Sequence, residues 1–220
     1  MTTKSISLKF RIALMATILF VTFAVMYFAG VGFPMMMAWP LAILFLFGLG
    51  ILPWQMCLAM LFSCCGDVMG VLDMFLPQMG FFALAHVSMI CFFVPLVRKT
   101  FGSLARLHVY VMSLVLFAVL LFAFLKILPS VESAVVRIGA STYSILIACM
   151  AWSASMQVSR KDIWSCLVPV GALLFLGSDM ILAWNAFVSP VAEEKYLIMV
   201  PYYLGQISLF WGTAFRIRES

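Results

Sequence analysis

Leu61-Phe62-Ser63-Cys64-Cys65-Gly66-Asp67-Val68-Met69-Gly70 decides how this chain is read, because Asp67 stands inside a long apolar run. A carboxylate at membrane depth costs on the order of 3 kcal/mol on insertion scales, and such a residue faces a bundle interior or a wet cavity. Working outward, 66% of the 220 residues are hydrophobic and 10% charged. Soluble domains carry about a quarter charged residues, so the membrane is the main solvent of this chain. The expected class is an all-α polytopic membrane helix bundle, one transmembrane domain over 1–220.

Eight spans can be marked, near 10–29, 34–52, 54–73, 78–97, 106–128, 136–156, 163–185 and 196–215. Each approaches the roughly 20 residues that cross a bilayer. Turn or charge signals separate them at Gly30 and Gly32, Pro53, Pro77, Arg98-Lys99, Pro129, Arg160-Lys161 and Glu193-Glu194-Lys195. The first run is too long for a signal-peptide core and is kept as a span. With eight spans, Lys4, Lys9, Arg11, Arg98, Lys99, Arg106, Arg160, Lys161, Arg216 and Arg218 share one side, and only Lys126, Arg137 and Lys195 the other. Ten against three predicts that both termini are cytoplasmic. The same sorting explains the net charge of +5 and leaves no nucleic-acid signal. Compact loops suit a bacterial inner membrane. The six cysteines fall in apolar runs without CxxC spacing and read as reduced packing residues.

Of the acidic residues, only Asp67 and Asp179 are left inside spans. They sit in related phrases, Leu61-Phe62-Ser63 with Gly66-Asp67 in span 3 and Leu174-Phe175-Leu176-Gly177-Ser178-Asp179 in span 7. The echo suggests a 4+4 internal repeat. Asp67, His86, Asp179 and Tyr202 each fall about six to eight residues from the outer end of their spans, roughly 9–12 Å deep at 1.5 Å per residue. Four polar groups from four helices at one level describe a polar chamber in the outer half of the bundle. Two carboxylates facing one chamber cannot both ionise cheaply, so a shared proton is expected.

Asp67, Asp179 and His86 are the candidate catalytic residues. Ser63 lies one turn before Asp67 and Ser178 adjoins Asp179. Without a GxSxG elbow, helix-gluing is the plainer role for a membrane serine. Tyr202, Tyr203 and Gln206 follow Pro201 and are placed to orient a substrate or a water, against a plainer reading as aromatic belt and interhelical bond. Asn185 closes span 7 and is either a cap or a further substrate contact. Gly66 and Gly70 read as a packing pair. His108 falls near the opposite membrane face. Two histidines so far apart in depth cannot build a three-His zinc site, and neither metal nor cofactor is expected.

In order and spacing, several phrases resemble the YhhN-like lysoplasmalogenase family. They are Leu61-Phe62-Ser63 with Gly66-Asp67, Phe81-Phe82-Ala83-Leu84-Ala85-His86, Met150-Ala151-Trp152, Gly171-Ala172-Leu173-Leu174-Phe175 with Ser178-Asp179, Asn185-Ala186-Phe187, and Tyr202-Tyr203 with Gln206. The resemblance implies an eight-span membrane hydrolase that takes a lysophospholipid from bilayer lipid. It would cleave the vinyl ether bond of lysoplasmalogens to a fatty aldehyde and glycerophospho-ethanolamine or -choline. Where that family usually carries Lys-Pro in span 2, this chain has Trp39-Pro40, which removes a candidate phosphate contact or counter-ion. Two competing classes remain, a small-molecule or proton-coupled transporter and a non-catalytic lipid-binding protein. A carrier needs a polar path through both halves of the bundle.

Overall fold

The computed structural model describes residues 3–100, 106–158 and 163–215. Among these, every regular element is helical: α1 (Thr3–Phe28), α2 (Trp39–Gly48), α3 (Trp54–Val71), α4 (Phe75–Thr100), α5 (Arg106–Phe122), α6 (Ala134–Ser155), α7 (Ile163–Phe187) and α8 (Glu194–Phe215). Six of them, all except α2 and α8, have the length and apolar composition to cross a membrane. The chain is thus an integral membrane protein. Its outer surface agrees. Leu107, Tyr110, Leu114, Phe117 and Leu121 form an exposed stripe on α5 at three- and four-residue spacing, a large apolar patch that water would not tolerate.

Two of the expected spans differ from the rest. Residues 34–52 do not make one continuous helix. Pro34–Met37 is a 3-10 turn, and α2 is ten residues, about 15 Å at 1.5 Å per residue against the roughly 30 Å hydrocarbon core. Pro40, in the first turn of α2, has no N–H to return to the preceding turn, so the two pieces meet at Ala38 without a continuous ladder. The eighth helix has 22 residues, but its polar Tyr202, Tyr203, Gln206 and Thr213 keep it out of the plainly apolar set. The turn expected at Pro77 also shifts. Pro77 sits in the first turn of α4, where its missing N–H is harmless. The chain reverses instead at Asp73, whose φ of 55° is left-handed.

Other turns fall where Gly30, Gly32, Pro53 and Glu193 stand, whereas the break expected at Arg98-Lys99 does not form there, because α4 runs on to Thr100. The α5 helix widens into a π-helical turn, Ala123–Ile127, then a 3-10 turn, Leu128–Ser130. Of the charges that sorted the topology, Arg160, Lys161, Arg216 and Arg218 lie outside the described residues. All six cysteines are free, and His108 Nε2 meets the Ser155 carbonyl at 3.0 Å, joining α5 to the far end of α6.

In packing, α3 lies against α4, α7 against α8, and α6 against both α4 and α7. The contact between α7 and α8 is backbone to backbone. A Cβ added at Gly171 would stand 2.6 Å from the Gly205 carbonyl oxygen, and one at Gly205 would stand 2.8 Å from that of Gly171. Gly66 serves the other pair, since the Phe82 ring of α4 occupies the place of its missing side chain at 2.9 Å. The core around these contacts is methionine and phenylalanine: Met56, Met60, Met89, Met150, Phe93, Phe175 and Phe210 are fully buried. Close helix pairs and soft core side chains bring the polar residues of α3, α4, α6, α7 and α8 to one level.

Candidate functional site

Asp67 and Asp179 line one cavity of about 540 Å³. Its walls come from α3, α4, α7, α8 and the end of α1, and its rim carries Asp73, Asn185, Glu194 and Lys195, at the turns between α3 and α4 and between α7 and α8. Asp67 is 2% exposed, and the Asp179 side chain is 11% exposed.

Each carboxylate is held by a tyrosine from another helix. Tyr202 Oη on α8 donates to Asp67 Oδ2 at 3.0 Å. Tyr143 Oη on α6 donates to Asp179 Oδ2 in a very short bond. His86 stands behind the second pair. Its Nε2 is 2.9 Å from Tyr143 Oη and 3.7 Å from Asp179 Oδ2. Because the Tyr143 proton is directed at Asp179, Tyr143 Oη is left to accept from His86 Nε2–H, and His86 Nδ1 is buried without a hydrogen-bond partner among the described residues. Between the two carboxylate–tyrosine pairs lie the rings of Phe82 and Phe175. Phe175 packs 5.3 Å from Tyr202 and 4.9 Å from His86, and Phe82 packs 5.9 Å from Tyr202.

The cavity therefore has Asp67, Asp179, Tyr202, Ser178 and Asn185 in its wall. His86, Ser63, Tyr203 and Gln206 are not in that wall. His86 is fully buried and reaches the cavity through Tyr143 and Asp179. Gln206 Nε2 donates to Ser63 Oγ at 3.1 Å, a tie between α8 and α3 one turn deeper than Asp67. Tyr203 Oη donates to the Met37 carbonyl at 2.7 Å and anchors the 3-10 turn. Ser178 Oγ donates to the Ile198 carbonyl at 2.8 Å, a bond between α7 and α8 rather than an activated hydroxyl. Asn185 accepts from the Val191 N–H at 2.8 Å and donates to Glu194, bracing the turn at the rim.

Three residues of the site escape sequence reasoning. Tyr143 lies seven residues inside span 6, at the depth of the chamber, but is not among the residues singled out from the sequence. Gln78 lies beside a proline taken for a turn. Lys195 reads as a loop charge, yet it is the basic residue of the cavity wall among the described residues. Its Nζ donates to the Tyr27 and Phe28 carbonyls at 3.0 and 3.3 Å and sits 4.6 Å over the Tyr27 ring. A cation there complements the carbonyl end of α1. Trp39 is elsewhere: 42% exposed, it stacks on Phe23 at 5.4 Å and is not part of the cavity wall. Among the described residues no cluster of three or more His, Cys, Asp or Glu side chains could hold a metal ion.

A second, apolar cleft of about 70 Å³ adjoins the first between α4, α6, α7 and the π-helical turn, and Gln78, Phe82, Asp179 and Leu182 border both. Chemically, the site offers two tyrosine-held carboxyl groups, a polar-lined cavity and, among the described residues, one cation in its wall, with an apolar cleft against Asp179.

The YhhN family model matches residues 28–213, most of the chain. Lysoplasmalogenase TMEM86B of Sus scrofa is 36% identical over 67 residues, which are 30% of this chain and 26% of that protein. The matched segment thus spans about a quarter of the relative's length. No solved structure matches.

Proposed function

The chain belongs to the YhhN family, and on that premise we propose that it is a membrane-embedded hydrolase that cleaves the vinyl ether bond of lysoplasmalogens. The observation that carries this reading is the pair of carboxylates, Asp67 and Asp179, each held by one tyrosine in a single cavity. A relative that is named a lysoplasmalogenase, and is matched over 26% of its length, suggests the bond type.

Vinyl ether hydrolysis needs what such a pair provides. A carboxylic acid protonates the alkene carbon remote from the oxygen, and the adjacent carbon becomes part of an oxocarbenium ion. A carboxylate stabilises that cation, as in the two-carboxylate logic of glycosidases. Water adds to the cationic carbon and gives up one proton to the carboxylate system, restoring the acid. The resulting hemiacetal collapses to a fatty aldehyde and a glycerophospho-alcohol, so one water is consumed and no redox change occurs. Asp67 and Asp179 divide the acid and stabiliser roles. Tyr202 and Tyr143 fix which oxygen of each carboxylate is engaged and leave the other for substrate or water. His86 is a positioning residue that orients Tyr143, in place of contacting the water itself. Both termini face the cytoplasm and the cavity opens on the other side, as the charge sorting supports.

The test is aldehyde release from a lysoplasmalogen by the purified, reconstituted protein. Asp67→Asn and Asp179→Asn, each folded and inserted, are expected to lose about 100-fold or more, the scale of general acid catalysis. Parent-like release by both variants rejects the reading.

A further inference from the structure

We infer that the apolar cleft between α4, α6, α7 and the π-helical turn receives the alkenyl chain of the substrate next to the ether. The phosphate then lies at the opposite end of the cavity, against Lys195. The inference rests on the lysophospholipid reading for the occupant's identity alone.

The first ground is continuity. The cleft and the polar cavity share Gln78, Phe82, Asp179 and Leu182, so one molecule can occupy both while passing Asp179. The second is contrast. The cleft is walled by Phe75, Met79, Ile147, Leu176 and Phe187 among others, and its few polar groups are committed. Ser144 Oγ donates to its own helix at Ala140, and Tyr143 Oη to Asp179. No cation is there to meet a phosphate. Lys195 is in the other cavity, with two of its three N–H bonds directed at α1 carbonyls and one left over. The rim of the polar cavity carries Lys195 together with Asp73 and Glu194, so a ligand with an apolar tail and a zwitterionic head, phosphate against Lys195 and amine toward the carboxylates, fits in one sense only.

The third ground is local geometry. Ala123, Ile127 and Leu128 form the outer wall of the cleft, and they belong to the π-helical turn and its sequel. A π turn widens a helix at a place where something else must be accommodated. Size agrees as well. About 70 Å³ of water-sized space holds about five such groups, enough for the ether-proximal carbons, and the rest of the chain leaves past the half-buried rim residues Met79, Met180 and Ala183. In this pose the ether reaches Asp179 before Asp67, because Asp179 borders both the cleft and the polar cavity.

The probe is a saturated-ether alkyl lysophospholipid, which cannot be cleaved, with a photoactivatable diazirine about five carbons from the ether oxygen, matching the cleft's capacity. On the full chain in lipid nanodiscs, peptides containing 123–128 and 140–147 should be labelled. Excess unlabelled alkyl lysophosphoethanolamine should suppress that labelling. Ala183→Phe, which fills the cleft, should reduce it at least about tenfold, equivalent to about 1.4 kcal/mol of binding. Ala140→Leu is the second variant should the first fail to fold. Label confined to α1, α2 or α8, or label in the cleft that no competitor displaces, overturns the inference. Labelling does not depend on turnover. Aldehyde release with label elsewhere therefore rejects the pose alone, and cleft labelling without aldehyde release rejects the activity alone.

Discussion

At the scale of the residue, the site is two carboxylates, each with one tyrosine, and a histidine behind one of them. The carboxylates and His86 were legible in the sequence because an ionisable group inside an apolar run is expensive enough to need a reason. Tyr143 was not, because an uncharged tyrosine seven residues inside span 6 carries no ionised group whose burial demands a reason. Only the placement of α6 against α4 and α7 turns it into the link between His86 and Asp179. Tyr143→Phe removes the hydrogen bond to Asp179 without emptying the space. A bond of that kind to a charged group is worth about 1.5–3 kcal/mol, so kcat is expected to fall about 10- to 100-fold, with KM little changed, in a steady-state aldehyde assay. An unchanged kcat removes Tyr143 from the mechanism. Lys195→Met should act the other way, raising KM for the lysophospholipid while sparing kcat, because its proposed contact is with the non-reacting phosphate. A fall in kcat at constant KM contradicts that placement.

Among the elements, the helix assignments from apolar run length agree closely with α3, α4, α6 and α7, and less well with residues 34–52. Length alone does not reveal that Pro34 and Pro40 interrupt that run, or that a turn forms at Asp73 rather than Pro77. The Gly66 and Gly70 pair was read as packing, and the contacts of Phe82 and Gln78 with these two glycines agree. Gly171 and Gly205 carry the larger constraint, because they let α7 and α8 touch through their backbones, and this contact brings Asp179 and Tyr202 into the wall of one cavity. Gly205→Val places three extra carbons against the Gly171 carbonyl and its neighbours. Overpacking of this kind costs about 1–3 kcal/mol. The variant should show a lower unfolding midpoint in detergent and reduced activity together. A normal midpoint with normal activity means that the close approach is not required.

For the whole molecule, Asp67 pairs with Tyr202 across α3 and α8, and Asp179 neighbours His86 across α7 and α4. This crossed arrangement is what a 4+4 repeat would produce, whereas the expectation that both termini are cytoplasmic rests on the charge sorting alone. Tags at the two ends should be protected from added protease in sealed right-side-out vesicles. Accessibility of either tag from outside refutes that orientation. The transporter alternative asks for a polar path through the other half of the bundle. There, the buried Ser153 and Ser155 bond back to carbonyls of their own helix, and Gln157 donates to the Ser153 carbonyl and across to the Phe93 carbonyl of α4, local and helix-joining roles typical of membrane helices. The direct measurement is aldehyde release from a defined lysoplasmalogen by the reconstituted parent protein, beside Asp67→Asn and Asp179→Asn of matched expression and folding. The account predicts stoichiometric aldehyde and glycerophospho-alcohol from the parent and near-complete loss in both variants. Release that persists in both variants, or a parent that binds the lipid and releases nothing, contradicts it.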